Sequence, residues 1–274
     1  MALAAAPRAT PAHRSARVAL AQASVLSRRS VLGTIRQPAS WIPGIVFPLL
    51  IAAVNSAAMG RSTDLPGFPD VESFLQFLLP ATLIQGVLFG GIIGGSDVAL
   101  DIQDGFFERL LASPVARSSI LVGRLAGSAM LGGIQAVLFV AIFLAFGATV
   151  EGGIGALVVL ILVGMVLALA IGGLAAAIGL RTGSQEAVQN SFPLVFVLLF
   201  MSSAFFPTTL MSGWYQTAAE ANPLSWMIDA ARQLVISGFS WADAGTAVGL
   251  ALVFAVIGVA LANGQLRRRL RSVS

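Results

Sequence analysis

The 274-residue sequence has no cysteine, no lysine and a single histidine, His13, and only 10% of its residues are charged. Without thiols, and with its one imidazole near the N-terminus, the apolar body of the chain cannot build a Cys/His metal site, a thiolate nucleophile or a Ser-His-Asp triad. All 16 basic residues are arginine, so a phosphate-binding P-loop, which needs a lysine ammonium on the nucleotide phosphates, is also excluded. Any use of ATP then requires another chain to bind it. What is present in excess is apolar: 57% of residues are hydrophobic and the mean hydropathy is +0.90, far above a soluble domain of this length. The sequence is that of an integral membrane protein.

A helical crossing needs ~20 mostly apolar residues. Six segments qualify, at about 41–59, 74–97, 119–147, 153–180, 189–206 and 242–263. Their apolar runs are long and continuous, without the ten-residue alternation of a barrel strand, which predicts an all-α architecture of six transmembrane helices. Basic residues are retained on the cytoplasmic side. Fourteen arginines fall in the N-terminal tail, the 98–124 loop, the loop near Arg181 and the C-terminal "RRRLR", whereas Arg61 and Arg232 alone fall on the opposite side. Both termini are therefore expected in the cytoplasm, with charges of +9 inside and −5 outside.

Residues 1–14 read as a disordered basic tail, and 15–38 as an amphipathic helix along the inner headgroups, with Val18, Val25, Leu32 and Ile35 on one face. The acid-free, Arg- and Ser-rich composition also fits a transit peptide or, through "SRRSVL", a twin-arginine signal. The apolar run after that motif is broken by "TIRQPAS", and no small-residue cleavage site follows. Residues 39–265 form the six-helix membrane domain, and 266–274 a basic cytoplasmic tail.

Charge concentrates in "VALDIQDGFFERLLASPVARSSILVGRL". Asp97, Asp101, Asp104 and Glu108 follow i, i+4, i+7, i+11 spacing, one stripe of a helix leaving the second span. Ser113-Pro114 then favours a helix break and a new short helix capped by Ser113. A plain connector needs no such patterning; a docking element that receives force from a soluble partner does.

"SFLQFLLPATLIQGVLFGG", "DGFFERLLASPVARSSILVGRL" and "FFPTTLMSGWYQTAAEANPLSWMIDAARQLV", in this order relative to six spans, resemble the permease subunits of type-2 ABC exporters of the daunorubicin-resistance kind. The resemblance covers most of residues 20 to 265. It implies an N-terminal connecting helix at about 15–38 and a coupling segment at about 101–117. Within that segment Asp101, Asp104, Glu108, Arg109, Pro114 and Arg117 are the candidates for contact with the ATPase or for shaping the segment. It further implies two copies of a cytoplasmic ABC ATPase carrying ATP and Mg, a second permease, identical or homologous, and a bacterial plasma-membrane location. The chain itself would hold no cofactor and no metal, and would bind no nucleic acid.

No acid or base sits at a span centre, where each would cost roughly 2.5–3.5 kcal/mol, and this argues against an ion-driven carrier. Small residues at 86/90/94 and 91/95 in span two, and at 164/168/172 in span four, form faces for close helix approach, within the bundle or at a subunit interface. Pro193 is expected to kink span five. Apolar surface with sparse polar groups suits an amphiphilic substrate such as a drug, lipid or glycolipid. The resemblance implies that spans two and five flank the central path, which makes Gln85, Phe89, Phe196, Phe200 and Ser203 the candidate path residues. Residues 207–238 are expected as short outer, re-entrant helices. Trp214 and Trp226 would lie in the headgroup belt, Asn222-Pro223 would break two helices, and Asp229 would pair with Arg232. A rival assignment takes the DxxxD of Asp97 and Asp101 as one half of a Mg-dependent prenyltransferase site, which would need a second acidic cluster that the sequence does not supply.

Overall fold

The computed structural model describes residues 21–272 apart from 23, 26, 29, 30, 34, 35, 37, 108 and 110–116. The described residues are helical, with short turns and no strands. Helix α1 spans Pro38–Met59, α2 Phe74–Gln103, α3 Arg117–Ala145, α4 Gly153–Thr182, α5 Gln185–Gln189, α6 Phe192–Phe200, α7 Gly213–Ala221, α8 Pro223–Ile236 and α9 Trp241–Ser272. Among the described residues, five stretches are long and apolar enough to cross a membrane: Trp41–Asp64, Phe74–Gln103, Leu121–Ala145, Gly153–Thr182 and Trp241–Arg271. These match five of the six expected spans.

The segment 189–206 differs. It is not one helix but α5 and α6, separated at Asn190 and Ser191, then a run of turns through residue 206. Pro193 has no N–H to give, so it fits the first turn of α6 and starts a helix rather than kinking one. At nine residues, α6 is about 14 Å long. That is well short of the ~30 Å hydrocarbon core.

Helix α2 is the hub. It packs on α1, α3, α4, α5 and α8, while α9 lies along α4. Its N-terminus is fixed locally: Ser73 caps the helix by accepting from the Gln76 amide, and the Gln76 side chain reaches back to the Glu72 amide at 2.9 Å. Close approach follows from missing side chains. A methyl on Gly86 would overlap the Phe139 ring of α3, and one on Gly90 the Gln135 amide. On the adjacent face Gly91 and Gly95 receive Ile171 and Ala175 of α4. The Gly164 face of α4 likewise meets α3 at Gly132 and Ala136. These small-residue faces thus pack inside the chain. Two hydrophobic clusters result, a main core along α2 and a smaller one where the C-terminal ends of α2, α4 and α9 meet the N-terminal end of α3. Residues 266–272, expected as a tail, continue α9, and Leu266 is buried in the smaller cluster.

Candidate functional site

Three sites carry the chemistry: the acidic end of α2, an aromatic wall beside α6, and a buried polar node where α8 meets α2. At the first, α2 continues to Gln103, so Asp97 and Asp101 do share its face. Both are taken by one residue of α3. Arg124 approaches Asp97 at 3.4 Å and bonds Asp101 through its other terminal nitrogen. Asp101 therefore braces α2 against α3, and both carboxylates of the DxxxD pair are engaged by one guanidinium within the fold. Asp104 is exposed just past the helix, where its amide bonds the Leu100 carbonyl. The acidic stripe stops there, because Gly105 adopts φ +66° and turns the chain. Arg109 is exposed and folds back on the carbonyls of Asp104 and Gly105. Glu108 and Pro114 lie outside the described residues, as does Ser113; Arg117 opens α3.

The N-terminal segment meets this region. Its described residues between 21 and 33 are helical, Val31 is buried, and the Ser27 hydroxyl donates to the Gly123 carbonyl at 3.1 Å, next to Arg124. Val25 and Leu32 are exposed, as a face meeting lipid would be. Val18 and Ile35 lie outside the described residues, as do 1–14.

The aromatic wall combines α1, α2 and α6. Phe89 stacks on Phe196 at 6.1 Å and meets Phe192 at 4.6 Å and Phe47 at 5.8 Å; Phe196 stacks on Phe200 at 4.4 Å, and Phe200 continues to Phe205. One turn before Phe89 on α2, Gln85 is 1% exposed and its amide nitrogen has no hydrogen-bond partner among the described residues. Four of the five candidate path residues are thereby brought into one region. The fifth, Ser203, is not on the wall: it is fully buried in the turns after α6. Between α1 and α3 a cleft of about 490 Å³ opens, lined by Leu49, Ala53, Ser56 and Phe146 among others.

Ser203 belongs to the third site. Its hydroxyl donates to Asp229 at 2.7 Å, and its amide donates to the Ser225 hydroxyl. Arg232, 3% exposed, bonds Asp229 at 2.6 Å, the Phe77 carbonyl at 3.2 Å, and the Ser203 and Ala204 carbonyls at 2.8 and 3.4 Å. Its guanidinium stands 3.8 Å from the centre of the Phe77 ring. The expected i, i+3 pair is present, and the same side chain also ties α8, α2 and the post-α6 turn into one unit. Burial lowers the Arg232 pKa to about 10, and the Asp229 charge opposes that shift. A sequence signal existed, since the flanking Ile228, Ala231 and Val235 mark that face of α8 as buried.

Helices α7 and α8 divide as Asn222-Pro223 dictates. Asn222 caps α8 through its side-chain oxygen, and its nitrogen donates to the Leu198 and Met201 carbonyls at 2.7 and 2.8 Å. Pro223 occupies the first position of α8. Trp214 and Trp226 are exposed, Trp226 with its indole N–H on the Glu220 carbonyl.

This arrangement has known relatives. The profile of the ABC-2 type transporter family matches residues 21–236. The chain is 29% identical over 237 residues to the daunorubicin resistance ABC transporter permease protein DrrB1 of Streptomyces coeruleorubidus, covering 83% of this chain and 81% of that protein. It is 26% identical to the putative transport permease ycf38 of Porphyra purpurea, over 89% and 88% of the two chains. It is 24% identical to the probable doxorubicin resistance permease DrrC of Mycobacterium tuberculosis, over 82% and 80%. The chain belongs to the ABC-2 type transporter family and is a multi-pass membrane permease subunit of an ABC exporter.

Proposed function

We propose that this permease moves a hydrophobic or amphiphilic molecule outward across a bacterial plasma membrane, powered by two copies of a separate ABC ATPase that carry the ATP and Mg. It works beside a second permease, identical or homologous. Both termini are cytoplasmic, α5 and α6 with the following turns make a broken fifth crossing, and α7 and α8 form an outer lid. Residues 101–117 meet the ATPase, with Asp104, Arg109 and the undescribed Glu108 and Pro114 at the contact. Asp101 and Arg124 hold the end of α2 in register.

The observation that carries the substrate class is the aromatic wall with one buried, unpartnered amide on it. Stacked rings accept planar or acyl surface without demanding directional bonds, and Gln85 supplies a single donor for a polar group. The named resistances of the relatives fit such a molecule. The test uses inside-out vesicles holding permease and ATPase, with daunorubicin as probe. ATP-dependent daunorubicin uptake should fall in Phe196→Ala and change its KM in Gln85→Leu. Uptake that ignores both substitutions refutes the path, and ATP hydrolysis by the purified permease alone refutes the division of labour.

A further inference from the structure

The smaller hydrophobic cluster contains one residue that belongs to none of the long helices. Phe107, just past the Gly105 turn, is 3% exposed and packs among Val98 of α2, Leu121 of α3, Leu180 of α4 and Leu266 of α9. The left-handed backbone at Gly105 reverses the chain at this point, a conformation glycine adopts without strain, and brings the next residues back against the bundle. On α9, Arg269 stands 5.9 Å from the centre of the Phe107 ring and donates to the Leu180 carbonyl of α4 at 3.2 Å. Helices α4 and α9 are themselves in backbone contact, with Gly173 facing Gly258 and no room for a methyl on either. Phe107 is thus seated where four helices meet, and one residue of α9 touches both it and α4.

Resting on the assignment of 101–117 as the ATPase contact, we infer that Phe107 is a positioning residue that locks this segment to the cytoplasmic ends of α4 and α9. Covalent continuity alone would pass a push from the ATPase to α2 and α3, the helices the segment joins. The seated ring adds a second route, because close-packed side chains transmit displacement instead of absorbing it. The segment and the end of α9 then move as one body during the ATP cycle.

The absence of cysteine makes two-site labelling clean. In the permease–ATPase complex, spin labels at Phe106→Cys and Arg268→Cys report the separation of the segment from α9 by pulsed EPR, with and without ATP and vanadate. One narrow distance, unchanged by nucleotide, is expected while Phe107 is present. Phe107→Ala should make the distance broad and nucleotide-dependent, and Phe107→Leu should restore the narrow one. A distance that shifts with nucleotide while Phe107 is intact overturns the inference, as does a narrow, unchanged distance in Phe107→Ala. The first measurement leaves the ring in place, so it decides the question whether or not Phe107→Ala folds. Failure of the ATPase to bind the unmutated permease would instead refute the assignment of the segment.

Discussion

Arg232→Ala is expected to loosen the half of the molecule that holds α8 and the start of α2. The substitution removes a side chain that is 3% exposed, takes its donors from the Phe77, Ser203 and Ala204 carbonyls, and leaves the Asp229 carboxylate with the Ser203 hydroxyl but without its cation. It also deletes the guanidinium from the face of the Phe77 ring. Removing one partner of a buried pair costs about 3–5 kcal/mol, chiefly because the remaining groups keep their desolvation without their bonds. Asp229 is 42% exposed and can recover water, which puts the loss toward the lower end of that range. At about 2–4 °C per kcal/mol for a chain of this size, thermal unfolding in detergent, followed by tryptophan fluorescence, should shift downward by on the order of 10 °C. Arg232→Lys keeps a charge but not the planar fork and should fall between the two. A shift of less than about 2 °C in Arg232→Ala would show that the node is hydrated and that α8 is not tied to α2 through it.

Arg124→Ala should destabilise the junction of α2 and α3 by about 1–3 kcal/mol, since it leaves Asp97 and Asp101 facing each other half-buried. Adding Asp97→Asn should recover part of that loss in the same melting assay. Gly86→Ala places a methyl into the Phe139 ring and should cost about 1–3 kcal/mol, relieved when Phe139→Leu is combined with it; equal melting of the single and double variants would refute the contact. Burial holds the Asp229 carboxyl above its usual 3.8, with Arg232 and the Ser203 hydroxyl acting in the opposite direction. The folded protein therefore keeps a proton there that the unfolded chain releases. This contribution to stability is full below pH 3.8 and is lost as the pH rises through the native value, so Asp229→Asn should flatten that part of the pH–Tm curve.

Hydrophobic run length made five of the long helices legible, because a membrane crossing is a local property of ~20 consecutive residues. It did not show that 189–206, apolar apart from a few polar residues, is broken. There the helix is interrupted at Asn190 and Ser191, and the Ser191 hydroxyl donates to the Val188 carbonyl in competition with the helix. The spacing of Asp97 and Asp101 put them correctly on one face but could not reveal Arg124, which stands 23 residues beyond Asp101. Ser203 illustrates the same limit. A serine beside phenylalanines in sequence reads as part of a substrate path, yet the turn after Phe200 carries it away to Asp229 and Arg232. Asn222-Pro223 was legible because capping is decided within four residues. Phe107 was passed over since nothing local distinguishes a buried ring from an exposed one.

The near-complete enclosure of α2 has a consequence for how the bilayer acts on this protein. Most of α1 and α9 faces outward, whereas almost none of α2 does. Lipids of different thickness or composition therefore grip the periphery and reach the central rod only by tilting its neighbours. A change of host membrane would alter α2 second-hand, through the Gly86 and Gly90 contacts with α3 and the Gly91 and Gly95 contacts with α4.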